Sequence, residues 1–320
     1  MSLADHVRTL GRGPGRSRSL TEAEARNAMT LMLGENAAPE AVGALLMLLR
    51  MKGETAAEIA GFAAAAQAQI PVLPEVDLDW PSYAAGRTRG LPWFLVSALM
   101  VAQSGKRIFL HGWNGTDPTV QQGLQCLGIP ICSTPNEAAE ALDRGNIAYM
   151  PLKDLCPPLM HLLSLRAVLG LRSCVNTVCR MLNPAGAAAS VQGVFHPSYR
   201  LLQADAAQRL GWRSLSVIKG GGGEFELNPA KAIEAFGLRD GLPWQDITPQ
   251  RVEETRRLST GVEEQIKSMR IAFSPSALPR FEREIILGTA SLAMNTLDCA
   301  ECPLQFPDGS PATTALPLTA

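Results

Sequence analysis

The hydrophobic period of this chain changes once, at a pair of prolines. Before residue 70, apolar side chains recur at helical spacing; after Pro74, short apolar runs alternate with helical stretches. Thr21-Glu22-Ala23-Glu24 has capping-box form, and Ala25, Ala28, Met29 and Met32 then share one face up to Gly34. Pro39 and Glu40 open a second helix that Gly53 ends, and a third runs from about Glu54 until Pro71 and Pro74 break it. Three helices with short turns predict a small bundle. Beyond them, strands are expected at 106–112, 146–152, 189–195 and 214–220, with helices near 119–128, 158–182 and 198–210. Alternating strand and helix implies a largely parallel sheet, so the fold class is α/β with a separate small α-helical domain.

Ligands in such sheets sit at the carboxyl ends of the strands. His111, Lys219 and the run Gly220-Gly221-Gly222-Gly223 fall at such ends. Glycines there let backbone N–H groups approach phosphate, and Glu224 and Glu226, two residues apart, could hold Mg²⁺. The same glycines could also serve a turn that keeps only the shape of a phosphate site.

Bulk properties exclude several classes. The chain has 320 residues and a formal net charge of −1, so no global field favours nucleic acid or membrane. Seven scattered cysteines are not a secreted disulfide framework, and a reducing cytoplasm is expected. Cys299 and Cys302 have metal spacing but no second pair, so they read as incidental. The first residues hold no apolar signal core, and no apolar run approaches a membrane span. Arg8, Arg12, Arg16 and Arg18 crowd the amino terminus, and Arg87, Arg89, Lys106 and Arg107 form a second basic cluster. Such clusters suit phosphates but are often only solvated. His6, His161 and His196 read as structural, and Phe94 and Trp113 as core, with stacking on bases as the alternative.

Five ordered stretches carry a resemblance: "LLRMKGETAAEIAGF" (48–62), "HGWNG" (111–115), "LGLRSCVNTVCRMLNP" (169–184), "GVFHPSY" (193–199) and "VIKGGGGEFE" (217–226). Together they resemble the anthranilate phosphoribosyltransferase family of the class II nucleoside phosphorylase and phosphoribosyltransferase superfamily. The resemblance implies a helical dimerisation domain of residues 1–74 plus about 155–184, and an α/β domain of 75–154 plus 185–306. Residues 307–320 remain as a flexible tail. It also implies a homodimer through the helical domain. The arginine that holds the anthranilate carboxylate in that family falls on Arg172, and the Mg²⁺-binding acids fall near Glu226, with Glu224 as a shifted substitute.

The departures bear on function. Where the family has a Gly-Thr-Gly-Gly-Asp loop around the pyrophosphate of phosphoribosyl pyrophosphate, this chain has Ser82, Tyr83, Ala84, Ala85 and Gly86. Pro92, Phe94 and Leu95 stand where the family has polar phosphate contacts. Each lost charge-assisted hydrogen bond costs ~1.5–3 kcal/mol of binding. The pattern is similar to a divergent branch described as nucleic-acid-binding. The leading expectation is therefore a homodimer that binds DNA or RNA through a basic groove formed by Arg8, Arg12, Arg16, Arg18, Arg87, Arg89, Lys106, Arg107, His111, Arg172 and Lys219. The alternatives are a Mg²⁺-dependent phosphoribosyltransferase with an altered acceptor, and a non-enzymatic metabolite sensor.

Overall fold

The computed structural model describes residues 1–13, 15–84, 90–254, 278–298 and 304–306. Cys299, Cys302 and the tail from 307 to 320 lie outside the described residues. Helices α1 (Leu3–Gly11), α2 (Glu22–Leu33), α3 (Pro39–Lys52) and α4 (Ala56–Gln67) come first. Three of them start on complete capping boxes, Ser2 with Asp5, Thr21 with Glu24 and Thr55 with Glu58, each worth ~1 kcal/mol. Glu58 is fully buried and has further partners: it accepts from the Leu20 N–H at 2.8 Å and from Lys52 Nζ at 2.8 Å, tying α2, α3 and α4 together.

The chain then alternates: β1 (Leu78–Ser82), α5 (Phe94–Gln103), β2 (Ile108–Gly112), α6 (Thr119–Cys126), α7 (Pro135–Gly145) and β3 (Ile147–Pro151). Four short helices follow, α8 (Leu152–Leu155), α9 (Pro157–Ser164), α10 (Arg166–Leu169) and α11 (Val175–Arg180). The single helix expected at 158–182 is thus broken. Gly170 sits at φ 71°, a left-handed stop that ends α10 and re-aims the chain into Arg172. Leu159, Leu162, Val175 and Val178 pack in one hydrophobic cluster with Leu45, Leu46 and Ile59 of the first helices.

Strands β4 (Ala189–Val194) and β5 (Ser214–Lys219) flank α12 (Tyr199–Arg209); β6 (Ile233–Arg239) and β7 (Leu242–Thr248) form a hairpin, and α13 (Arg280–Thr296) follows. The seven strands run in the order β3-β2-β1-β4-β5-β6-β7. The first five are parallel, and the last two antiparallel. Strand order reverses between β1 and β4, which opens a crevice at their carboxyl ends. Strand β1 escaped the sequence reading because Pro81 argues against a central strand. Its ladder with β4 pairs only Leu78 and Asp79, so the register has ended before the proline. Among the described residues no helix is long and apolar enough to cross a membrane.

Candidate functional site

Four strand ends converge at the crevice: Ser82 to Ala84 after β1, Gly112 to Asn114 after β2, Val194 to His196 after β4, and Lys219 to Gly223 after β5. The expected donor segment is folded inward. Ser82, Tyr83 and Ala84 are buried, at 0, 0 and 3 % exposure. The Tyr83 hydroxyl shares a 2.7 Å hydrogen bond with His111 Nδ1. Its carbonyl accepts from Arg180 Nη2 at 3.0 Å and from Asn176 Nδ2 at 3.4 Å. Ala85, Gly86, Arg87 and Arg89 lie outside the described residues.

Glu224 closes this segment from the other side. Its Oε1 accepts from Ser82 Oγ at 3.0 Å, from the Ala84 N–H at 3.1 Å and from Asn114 Nδ2 at 3.1 Å. Glu226 accepts the Phe94 N–H at 3.1 Å, a carboxylate at the first residue of α5, where the helix dipole favours negative charge. Both acids are buried, at 0 and 1 %. Each carboxylate is thus engaged by the protein, Glu224 through Oε1 with the end of β1 and Asn114, and Glu226 with the start of α5. Among the described residues no cluster of three His, Cys, Asp or Glu is placed to hold a metal.

The glycine run answers to its own backbone. A Cβ on Gly220 would stand 1.6 Å from the Glu224 carbonyl oxygen, so only glycine lets the chain double back there. A Cβ on Gly223, at φ 91°, would lie 3.6 Å from both Ala84 Cβ and Phe195 Cβ. The glycine turn thus comes within van der Waals reach of the end of β1 and of Phe195.

The other expected anion residues lie in different places. His111 is fully buried; its Nδ1 meets Tyr83 and its Nε2 lies 3.1 Å from Asp79 Oδ1, so it faces the core. Arg8 pairs with Asp5 at 2.9 Å, and Arg18 with Glu24 at 2.6 Å. Lys106 and Arg107 precede β2 and so stand at the amino ends of the strands, opposite the crevice. Arg107 bonds Asp143 at 3.0 Å, and Lys106 lines a separate cavity with Asp77, Arg213 and Asp240. Arg12, Arg16 and Lys219 are exposed. Phe94 is core, and Trp113 is half-buried against the core.

Arg172 does face a cavity. It lies between the helical layer and the sheet, about 300 Å³ in volume, and its lining includes Arg50, Arg166, Arg172, Arg180, Tyr199 and Gln203. Among the described lining residues none is an acid. Burial lowers the Arg172 pKa, and the charges of Arg166 and Arg50 push it the same way. Three guanidinium groups thus crowd one another, a repulsion that an entering anion would relieve. Arg180 is the buried anchor beneath them. It donates to Gly193 O, Asn176 O and Tyr83 O, and Glu224 offsets the burial that depresses its pKa. Arg50, Arg166, Arg180 and Gln203 were missed from sequence, because they come from four separate helices that only the fold brings together.

Known proteins resemble this chain over most of its length. The glycosyl transferase family, helical bundle domain, matches residues 4–69, and the glycosyl transferase family, a/b domain, matches residues 94–243. The anthranilate phosphoribosyltransferase of Rubrobacter xylanophilus is 30% identical over 251 residues, 76% of this chain and 72% of its own length. The chain belongs to the anthranilate phosphoribosyltransferase family. Solved members share its fold. The enzyme from Thermus thermophilus superposes with a TM-score of 0.78 at 24% identity, covering 92% of this chain and 89% of that one. The Saccharomyces cerevisiae enzyme, solved in complex with PRPP and Mg, gives 0.71 at 16% identity over 93% of this chain and 90% of that one. The family's small helical domain and α/β sheet domain are both present.

Proposed function

We propose that this family member binds nucleic acid through its phosphate backbone in the cleft between the helical layer and the sheet, and that it does not transfer phosphoribose. One observation carries the reading: Arg50, Arg166 and Arg172 converge on a cavity whose described lining contains no acid. Guanidinium forks suit phosphate oxygens; Arg172 is half-buried, and Arg50 and Arg166 are exposed at the rim. The buried, hydrogen-bonded end of β1 supports the second half of the reading. Backbone binding of this kind is weakly selective for sequence and strongly salt-dependent. The reading includes a homodimer through the helical domain, which sets two clefts on one particle; sedimentation equilibrium checks that part.

Fluorescence anisotropy with labelled oligonucleotides at about 50 and 200 mM salt tests the proposal. Binding at the lower salt that weakens steeply at the higher one supports it. No binding at the lower salt removes it.

The cavity volume favours a second reading, a small anionic metabolite held by the same arginines without chemistry. Such a ligand would stabilise the protein against heat in its own right. The enzymatic alternative is a Mg²⁺-dependent phosphoribosyltransferase with an altered acceptor, in which Glu224 and Glu226 would hold the metal.

A further inference from the structure

The inner wall of the arginine cleft is an amide. Gln203 lies one helical turn beyond Tyr199 on α12, so the two side chains share a face. Gln203 is 1 % exposed, and its Oε1 has no hydrogen-bond partner among the described residues although it lines the cavity. Buried amides are nearly always paired, so an orphaned one that faces a cavity points to a ligand group. Two aromatics line the same cavity. Tyr199 is half-buried, and Phe195 is 59 % exposed, packed edge-on against His196 with ring centroids 5.0 Å apart. A large exposed aromatic ring beside arginines has little to do with folding and suits stacking on a base.

Cations, aromatic rings and a buried amide line the same cavity, beside the polar side chains of Ser173, Asn176 and Thr177. A nucleotide offers a matching set of groups: phosphate, flat base, polar base edge. The volume of about 300 Å³ takes one nucleotide and not a duplex.

We infer that the cleft takes one unpaired nucleotide of a strand. Its phosphate lies among Arg50, Arg166 and Arg172, its base against Phe195 and Tyr199, and its edge on the Gln203 amide. The inference rests on the nucleic-acid reading of the same cleft. A glutamine amide accepts from and donates to a base at once, and adenine offers the matching pair of groups. The protein is therefore selective for single strands that carry bases, and Gln203 is the residue that reads them.

Three labelled strands of equal length and equal phosphate number test this: oligo(dA), the same backbone without bases, and the oligo(dA)·oligo(dT) duplex. Oligo(dA) is expected to bind the wild-type protein about tenfold tighter than either of the others. Gln203→Met keeps the volume and removes the amide; it is expected to shrink that preference severalfold, with a thermal midpoint no lower than wild type. Equal, salt-sensitive binding of all three strands overturns the inference and leaves the nucleic-acid reading standing. Binding of none at low salt overturns both. AMP that saturates the protein with the affinity of the strand overturns the strand as the source and makes the ligand a free mononucleotide.

Discussion

The carboxylate of Glu224 accepts a hydrogen bond from the backbone N–H of Ala84 at 3.1 Å. In a phosphate-wrapping loop that N–H would face the ligand, and the acid would face its metal. Here the two satisfy each other. Glu224→Ala would leave the Ala84 N–H, Ser82 and Asn114 without their acceptor and Arg180 without its nearby counter-charge. The expected loss is about 3 kcal/mol of folding stability, read as a lower urea midpoint. A metal-binding acid behaves oppositely, since its removal relieves repulsion in the metal-free protein. Unchanged or raised stability would contradict the structural role.

Calorimetric titration with phosphoribosyl pyrophosphate and Mg²⁺ is expected to give no saturable heat below about 1 mM. Several charge-assisted hydrogen bonds are missing, and every ~1.4 kcal/mol is tenfold in affinity. Micromolar binding would contradict the loss of the donor site.

The sequence told more about the frame than about the site. The two prolines at 71 and 74 marked the change of architecture, and the capping box at Thr21 and the proline at 39 placed the starts of α2 and α3 closely. Apolar runs located β2 to β5, because buried parallel strands read as such. Strand β1 was hidden by Pro81, and the β6–β7 hairpin by its exposed, polar edge strand. The direction of a charge was not legible at all. By local spacing Arg18 and Arg172 look alike, and only the resemblance set Arg172 apart; one is paired with Glu24 and the other lines the cavity. His111 was placed correctly at a strand end, but strand side chains alternate, and its ring points into the core.

Acid pH should expose the Arg18–Glu24 pair. Hydrogen bonds from Arg18 hold the Glu24 carboxyl down to about 2, against an ordinary value of 4.5. A depressed carboxyl contributes stability that is present above its unfolded pKa and is lost as pH falls through the folded one. The stability difference between wild type and Glu24→Gln is therefore expected to be constant above pH 4.5 and to shrink between there and pH 2. It is small, because Arg18 is half-exposed. A difference independent of pH would contradict the pairing.

Glu54 should set the pH response of the cleft. It bonds the Tyr199 hydroxyl at 3.5 Å and feels the charges of Arg50 and Lys52, and burial raises its pKa above the ordinary 4.5. Taking up a proton removes a negative charge beside the arginines. Nucleic-acid affinity is expected to rise as pH falls toward that pKa, and Glu54→Gln is expected to bind severalfold tighter than wild type at pH 8. Anisotropy at pH 6 and pH 8 checks both. Weaker binding by Glu54→Gln at pH 8 would contradict the placement.

The most direct test of the cleft is its salt slope. Binding constants for one labelled strand, measured from low to moderate salt, give the number of phosphates neutralised. Arg50→Ala, Arg166→Ala and Arg172→Ala are each predicted to weaken binding and to lower the magnitude of the slope by about 1. Wild-type slope and affinity retained in all three variants would place the nucleic acid elsewhere and contradict the account.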